Sequence, residues 1–160
     1  MQDIRTTIDH VQFDIRSCGL LYNQGKYLVS TEKDGTQTLH GGAVQIGETT
    51  IDAVIREFFE ETSLVVTVSK LIGTIENHFV VHNQAYHQLL FVYELNLVDP
   101  TNRQPKSELG CTSEWLAKEQ VTQLRPAILN DFIHNPSPTV SHLINQEPAF
   151  LNYFSHLKEV

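Results

Sequence analysis

The feature that most constrains this chain is a cluster of acidic residues on one predicted helix, within residues 41–64. The stretch reads GGAVQIGETTIDAVIREFFEETSL, and its marked residues stand at fixed offsets: Gly42, Glu48, Arg56, Glu57, Glu60 and Glu61. Acidic side chains three or four residues apart repel each other and cost a helix roughly 0.2–0.5 kcal/mol per pair. Since helix formation gives no reason for this repulsion, the cluster predicts a bound cation that offsets it.

The helix that carries the acids is predicted to begin just after Glu48. Thr49 is a favourable N-cap, and Asp52 follows three residues later as in a capping box. The predicted buried stripe has helical periodicity and consists of Ile51, Val54, Ile55 and Phe58. At ~100° per residue, the glutamates centre about 110° from that stripe, so they can line a cleft while the helix stays anchored.

Composition and charge narrow the class of protein and of partner. With 160 residues, 41% of them hydrophobic, the chain fits one soluble globular domain. Its formal net charge of −8 gives no general attraction to nucleic acid or to an anionic membrane, so neither is an expected partner. A polyphosphate substrate would need a divalent cation to bridge the two negative partners.

The start, MQDIRTTIDH, lacks signal-peptide features, and Cys18 and Cys111 lack C-x-x-C spacing; we therefore expect reduced thiols and a cytoplasmic protein.

Hydrophobic patterns on either side of the helix predict a sheet. Two strands lie between residues 13 and 30, joined at the turn residues Asn23, Gln24 and Gly25. A strand is predicted at residues 65–68, followed by a long antiparallel pair at 71–81 and 86–97. A short strand then holds Trp115 and Leu116. Helical stretches are predicted at residues 119–124, with Thr112 or Ser113 as the cap, and at 127–133.

A proline-containing break at residues 135–138 separates a C-terminal segment from the rest of the chain. In this segment Phe150, Phe154 and Leu157 recur at helical spacing, which predicts a terminal helix. Its apolar stripe would dock on the protein's own core or on a second subunit, so the pattern is compatible with a homodimer. We predict one domain over residues 1–160, with residues 136–160 as a C-terminal helical extension.

The pattern of the acidic stretch closely resembles the signature of the Nudix hydrolases. That signature is G-x5-E-x7-R-E-U-x-E-E-x-G-U, with U a bulky apolar residue, and residues 42–64 match it with one mismatch, Ser63 in place of the second glycine. The resemblance extends through the order of predicted elements over most of residues 12–133. It implies an α/β fold, a Nudix-type α/β/α sandwich with a mixed, mostly antiparallel central sheet.

The resemblance also implies an activity. Nudix-like proteins of this kind are Mg²⁺- or Mn²⁺-dependent hydrolases that cleave the pyrophosphate linkage of a nucleoside diphosphate derivative, such as a nucleotide sugar, an ADP-ribose-like compound or a nucleoside triphosphate. By resemblance, Glu57, Glu60, Glu61 and the carbonyl of Gly41 would hold the metal, and Arg56 would pair with Glu48 to steady the ridge. The alternative is a catalytically silent Nudix-like module that binds a nucleotide or metabolite.

Residues outside the signature are weaker candidates. A further catalytic carboxylate is expected from the loop before Trp115, with Glu108 first and Glu114 behind it, and the general base stays open among Glu57, Glu60 and Glu108. The candidate substrate contacts are Arg16, Glu76, His78 and His87. No zinc site is expected at His78, His82 and His87, since no cysteine or H-E-x-x-H pattern accompanies them. His40 stands where Nudix proteins commonly have proline.

Overall fold

The computed structural model describes residues 1–158, with side chains through residue 155, and shows a mixed α/β fold built on a nine-stranded sheet. The strands are β1 Arg5–Ile8, β2 Val11–Asn23, β3 Lys26–Glu32, β4 Gln37–Thr38, β5 Gly41–Ala43, β6 Val66–Val81, β7 Gln84–Leu97, β8 Cys111–Leu116 and β9 Ser141–Gln146. The helices are α1 Thr50–Thr62, α2 Asp131–His134 and α3 Pro148–Lys158, with 3-10 segments at Lys118–Gln120 and Ala127–Asn130. Among the described residues, no helix has both the length and the apolar character needed to cross a membrane.

The sheet is mixed and mostly antiparallel, as predicted. Its order is β4-β3-β2-β7-β6-β9, with β1 and β5 pairing with β2 and β8 with β3; the pairs β2–β7 and β6–β9 are parallel. The predicted long pair is β6–β7, joined at His82 and Asn83, which both have positive φ as a two-residue hairpin turn requires. The two strands predicted at 65–68 and 71–81 are one strand with register shifts near Lys70 and Ile72.

Helices cover both faces of the sheet, so the predicted α/β/α sandwich is confirmed. Helix α1 packs on one face, where the core contains Leu21, Val54, Phe58, Leu64 and Leu95. Helix α3 packs on the same face through Phe150, beside Val11 and Ala85. The segment Ala127–His134 covers the other face, with a core that includes Leu20, Val92, Leu129, Phe132 and Ile133. Alternation along β2 and β7 supplies apolar side chains to both cores.

Helix α1 begins as predicted and buries Val54 and Phe58 of the predicted stripe, with Ile55 partly buried, but not Ile51. The Thr49 hydroxyl accepts a hydrogen bond from the Asp52 backbone N–H at 3.0 Å. The buried helical residues are Ala53, Val54, Phe58 and Thr62. The prediction of Ile51 in this stripe was wrong, since its exposed fraction is 43%. The first turn meets the sheet through Thr50, whose carbonyl accepts from Ser17 Oγ and whose hydroxyl lies 2.5 Å from the Tyr93 hydroxyl, so Ile51 points away.

The helix predicted at residues 119–124 is absent, and Thr112 and Ser113 lie inside β8 instead of capping it. Only Lys118–Gln120 forms a 3-10 turn, because Gln37 engages the segment that follows. Gln37 Oε1 accepts from the backbone N–H groups of Thr122 and Gln123 at 3.0 and 2.9 Å. These two donors are therefore not available for the hydrogen bonds of a helix. The stretch predicted at 127–133 is helical, as a 3-10 segment followed by α2.

The C-terminal segment contains a strand that the sequence analysis did not predict. Strand β9 pairs in parallel with β6, from Ser141 opposite Gly73 to Gln146 opposite His78. The C-terminal extension, predicted as helical over residues 136–160, therefore contains a strand before its helix. The predicted helix follows as α3, with Phe150 buried at 5% exposure and Phe154 packed beside it. The side chain of Leu157, which belongs to the predicted stripe, lies outside the described residues.

Candidate functional site

Strand β5 and helix α1 hold the residues of the acidic stretch against each other. Strand β5 pairs with β2, so that Gly41 lies opposite Cys18 and Gly42 opposite Ser17. A Cβ at Gly42 would overlap the carboxylate of Glu57. A Cβ at Gly41 would overlap the backbone of β2. Both glycines are therefore required by close approach, and the one at residue 42 lets Glu57 lie directly on the strand.

The Arg56 guanidinium is the centre of the site's hydrogen-bond network. Its Nε donates to Glu48 Oε1 at 2.6 Å and its Nη2 to Glu48 Oε2 at 3.0 Å, a two-pronged pair. Nη2 also donates to the Ala43 carbonyl at 3.1 Å, which ties the helix to β5. Nη1 reaches Glu57 Oε1 at 2.7 Å and Glu60 Oε2 at 3.3 Å. The structure thus brings together four of the residues singled out in the sequence.

Electrostatics separate the two acids that Arg56 holds most closely. The hydrogen bond from Arg56 lowers the pKa of Glu48 below its usual value, and a further bond from the Gln45 backbone N–H acts in the same direction. Burial raises the pKa of Glu57 instead, and the charges of Glu61 and Glu60 add to that rise against the opposing effect of Arg56. A half-buried carboxylate beside two others is a position that a cation would stabilise.

His40 holds Glu61, a contact that the sequence analysis missed. His40 Nδ1 lies 2.7 Å from Glu61 Oε2, and the ring is only 3% exposed, edge-on to Phe58 at 5.4 Å. An ionised carboxylate only accepts hydrogen bonds, so Nδ1 carries the proton in this pair. The spacing of 21 residues gives no local signal for it. Only the departure from proline at this position drew attention to His40.

The oxygen donors around β5 and α1 suit a hard divalent cation, although they do not form a complete centre. Among the side chains that the structure describes, those of residues 1–155, no three of Asp, Glu, His or Cys form a cluster able to hold a metal. Glu57 is held by Arg56, Glu61 by His40, and the side chain of Glu60 is 56% exposed. Carboxylates of these three residues, with the carbonyl of Gly41, are the ligand type that Mg²⁺ and Mn²⁺ prefer. The donor set therefore fits such an ion.

A cleft begins at the glycines and continues along the face of the sheet that α1 does not cover. The part next to the glycines, which we call the inner cavity, has a volume of about 120 Å³ and is lined by Gly41, Gly42 and Arg16 among others. The outer part of the cleft, an outer cavity of about 590 Å³, reaches Asn77 and Phe79. The two cavities share Gln88, Arg125 and Pro126 in their walls. The acidic ridge adjoins the inner end of this two-part cleft through Gly42, against which Glu57 lies, and its glutamates do not themselves line either cavity.

Of the four candidate substrate contacts, only Arg16 lies in this cleft. Side chains alternate along a strand, and Gln88 lines the cleft, so His87 points to the opposite face. His78 lies opposite His87 in the β6–β7 register and stacks on Phe150 with ring centroids 4.7 Å apart. Both line a separate cavity of about 540 Å³ beneath α3.

Glu76 is on that same opposite face, where its carboxylate lies 2.8 Å from His142 Nε2 on β9. The structure therefore does not bring Glu76, His78 or His87 to the cleft.

The loop acids are likewise apart from the ridge. Glu108 is exposed in the β7–β8 loop, and within the described part of the chain its carboxylate makes no hydrogen bond or ion pair. The loop itself approaches the end of α1, because the Lys106 N–H donates to the Thr62 carbonyl at 2.8 Å. Glu114 lies on β8 and accepts from the Thr31 hydroxyl at 3.2 Å. A catalytic role for Glu108 stays a prediction.

Comparisons with known proteins agree with this geometry. The family model described as the NUDIX domain matches residues 14–135. No curated protein sequence matches the chain.

Solved structures with the same fold include three from bacteria, all of low sequence identity. A NUDIX hydrolase from Nitrosomonas europaea has a TM-score of 0.65 and 16% identity, over 84% of this chain and 79% of that one. A MutT protein from Bacillus halodurans has a TM-score of 0.63 and 18% identity, over 86% and 92%. An ADP-ribose pyrophosphatase from Streptococcus suis has a TM-score of 0.57 and 14% identity, over 82% and 98%.

Proposed function

The chain belongs to the Nudix family of pyrophosphohydrolases, and from that premise we propose that it cleaves the pyrophosphate linkage of a nucleoside diphosphate derivative with Mg²⁺ or Mn²⁺. One observation carries the proposal. The carboxylate of Glu57 lies against Gly42, a residue that lines the inner cavity, and is held by Arg56, with Glu60 and Glu61 along the same helix. Arg56 and His40 contact these acids, and a cation facing a polyphosphate would explain why three of them lie together at that place.

Each residue of the site has a distinct proposed role. Glu57, Glu60, Glu61 and the Gly41 carbonyl would hold the metal, which when bound withdraws charge from the phosphates and makes water more acidic. Arg56 and Glu48 orient Glu57, because the two-pronged pair fixes the guanidinium that donates to it. The general base is open among Glu57, Glu60 and Glu108, and the raised pKa of Glu57 in the metal-free protein is a reason to test it first.

The substrate is proposed only as a class. Nucleotide sugars, ADP-ribose-like compounds and nucleoside triphosphates all contain the linkage. Structural relatives carry the names ADP-ribose pyrophosphatase and UDP-X diphosphatase, which support a small nucleotide derivative as the class. The net charge of −8 supports a substrate bridged by metal rather than a nucleic acid polymer. We also propose a cytoplasmic location, supported by the two free thiols Cys18 and Cys111.

The rival proposal is a Nudix-like module that binds a nucleotide without turnover. Such a module would have no need for an intact ridge. Here Glu57, Glu60 and Glu61 are all present, and the Arg56–Glu48 pair that orients the first of them is formed. We therefore favour the enzyme.

A hydrolysis assay separates the two. The wild-type chain is incubated with Mg²⁺ and a panel of nucleotide sugars, ADP-ribose and nucleoside triphosphates, and phosphate-containing products are followed by chromatography. We expect turnover that EDTA abolishes and that Glu57→Gln and Glu61→Gln reduce roughly 100-fold or more, because each removes charge beside the reacting phosphate. Glu119→Gln, an exposed acid on the 3-10 turn Lys118–Gln120, is the matched control and should be as active as wild type. Absence of turnover across the panel would favour the binding module.

A further inference from the structure

We infer that Arg125 binds the diphosphate of the substrate at the junction of the inner and outer cavities, and that the outer cavity receives the uncharged nucleoside part. This inference rests on the proposed function and deepens it. It adds a substrate-binding residue that lies far from the acidic stretch in sequence, and it gives the substrate a direction in the cleft.

Arg125 lies where a diphosphate would pass. Arg125 lines both cavities, together with Gln88 and Pro126. The inner cavity, at about 120 Å³, is well below the roughly 300–1,000 Å³ of ordinary small-molecule pockets, so it has room for a phosphate group and not for a nucleoside. The outer cavity, at about 590 Å³, falls within that range. The phosphates must therefore point inward, past Arg125 and towards Gly41.

The guanidinium of Arg125 is available for a ligand. The guanidinium has five N–H donors. Within the described part of the chain it makes one hydrogen bond, from Nη1 to the Leu124 carbonyl at 3.3 Å. No carboxylate among the described residues lies within ion-pair distance of it. Its charge contributes only weakly to the lowered pKa of Asp34, which follows mainly from hydrogen bonds with Thr36. Arg16, by contrast, already lies 3.7 Å from the carboxylate of the buried Asp14.

The backbone around Arg125 is held in place before any substrate arrives. The Arg125 N–H donates to the Gln37 carbonyl at 3.0 Å, and the Gln37 N–H donates to the Gln123 carbonyl at 2.9 Å. The Gln37 side chain is buried and also donates to the Gln120 carbonyl at 2.9 Å. Since Gln37 belongs to β4, just before Gly41, the same segment positions both ends of the inner cavity. A preorganised donor loses less freedom when it binds an anion.

The floor of the outer cavity is polar but uncharged. Asn145 Nδ2 donates to Asn77 Oδ1 at 2.7 Å, and Asn77 Nδ2 donates to Gln88 Oε1 at 3.2 Å. This row of amides crosses β9, β6 and β7 and offers both donors and acceptors, as the edge of a nucleobase does. Phe79, stacked on Tyr86 with centroids 4.9 Å apart, supplies an aromatic wall.

The rim of the outer cavity is acidic. Glu32, Asp34 and Glu147 all line it. These charges would repel a further phosphate at the outer end, so a base or sugar without phosphate fits there and a phosphorylated ribose does not.

Binding measurements test the inference without turnover. The probes are the α,β-methylene diphosphates of adenosine, uridine, guanosine and cytidine, in the presence of Mg²⁺, and the readout is Kd by titration calorimetry. We expect Arg125→Gln to weaken the best probe about 10- to 100-fold, because charge-assisted bonds to phosphate are lost. Arg125→Lys should recover part of the affinity. Lys70→Gln removes the same charge from an exposed site away from the cleft and should bind like wild type.

Three further readouts decide the outcome. Thermal unfolding of Arg125→Gln should match wild type, which separates lost binding from misfolding, and in the hydrolysis assay the variant should raise KM more than it lowers kcat. A probe with an added ribose phosphate should bind at least about 10-fold more weakly than its parent. If Arg125→Gln and Lys70→Gln bind the probe with equal affinity, the inference about Arg125 is overturned. Turnover by the wild type in the hydrolysis assay would still support the proposed function. Absence of both binding and turnover in the wild type would overturn both.

Discussion

At the scale of single residues, the site depends on how Arg56 distributes its donors. Two of its nitrogens contact Glu48, and the third reaches Glu57 and Glu60. Glu48 is thereby kept ionised, since Arg56 lowers its pKa. Burial raises the pKa of Glu57, and a cation beside this carboxylate would favour its ionised form. The guanidinium thus acts on the ridge through geometry as well as charge.

Replacing Arg56 with lysine tests this geometry. Arg56→Lys keeps the charge but cannot contact Glu48 and Glu57 in one plane, so we expect activity to fall about 10- to 100-fold. Mn²⁺ affinity, measured by electron paramagnetic resonance, should fall with it. Arg103→Lys, at a guanidinium 5.0 Å from the Trp115 ring, is the control and should keep full activity. Unchanged Mn²⁺ affinity in Arg56→Lys would contradict an orienting role.

At the scale of elements, the end of α1 shows a cost of departing from the family pattern. Ser63 has φ 63°, in the left-handed region, and its N–H donates to the Phe59 carbonyl at 2.8 Å. The family signature has glycine there, and glycine adopts this conformation without the roughly 1–2 kcal/mol that other residues lose. The backbone path of the family is kept, and the side chain is exposed.

Ser63→Gly should therefore stabilise the protein. Glycine removes the strain that serine has at a left-handed φ, but it also stabilises the unfolded chain by roughly 0.5–1 kcal/mol of conformational entropy. Because the strain is the larger of the two, we expect the free energy of unfolding to rise by about 0.5 kcal/mol. Urea unfolding followed by circular dichroism measures it. Ser63→Ala keeps the positive φ and should show no gain. A destabilised Ser63→Gly variant would show that the serine side chain stabilises the folded protein by more than its backbone strain costs.

The packing of β6, β7 and α3 predicts a pH dependence. Burial lowers the pKa of His78, and the charge of neighbouring His87 acts in the same direction. The unfolded chain then binds a proton at His78 at a higher pH than the folded chain does. Stability from this residue is fully present above pH ~6.5 and falls as the pH drops from there towards the folded pKa.

Unfolding free energies at pH 7.5 and at pH 5 check this expectation. His78→Gln should lose less stability than wild type over that interval, because the titrating group is gone. His10→Asn, on an exposed turn, is the control and should follow wild type. An identical pH slope in wild type and His78→Gln would assign the acid sensitivity to other groups.

At the scale of the whole molecule, the C-terminal segment connects the two faces of the sheet. Strand β9 covers the edge of β6, α3 packs on the α1 face through Phe150, and Asn145 reaches the floor of the outer cavity through Asn77. Glu147 lines the rim of that cavity. The segment therefore contributes to stability and to the shape of the cleft at once.

Deleting residues 137–160 should reveal both contributions. An uncovered edge strand and an exposed apolar patch favour aggregation, and loss of Phe150 burial alone accounts for about 1.5–3 kcal/mol. We expect a lower Tm, more light scattering and a higher KM. Phe150→Ala is the finer variant, since it should lower Tm while leaving the outer cavity and KM intact. A deletion variant with wild-type Tm would contradict the packing role.

Local sequence patterns predicted the parts of this protein that depend on residues near one another in the chain. The cap at Thr49, the ridge of glutamates and the β6–β7 hairpin follow from local spacing, and local spacing is what periodicity records. These patterns also predicted the family and the mixed sheet. Prediction failed at residues 119–124, because a side chain from β4 captured the backbone donors that a helix needs.

Long-range packing sets which side of the sheet faces the cleft. Strand alternation separates His87 from Gln88, but which of them lines the cleft depends on where Ala127–His134 and α3 pack. Other long-range contacts bring His40 to Glu61 on α1 and place Arg125 at the junction of the two cavities. These contacts join residues far apart in the chain, so no local pattern encodes them. Local chemistry made the acidic ridge, and long-range packing decided what it faces.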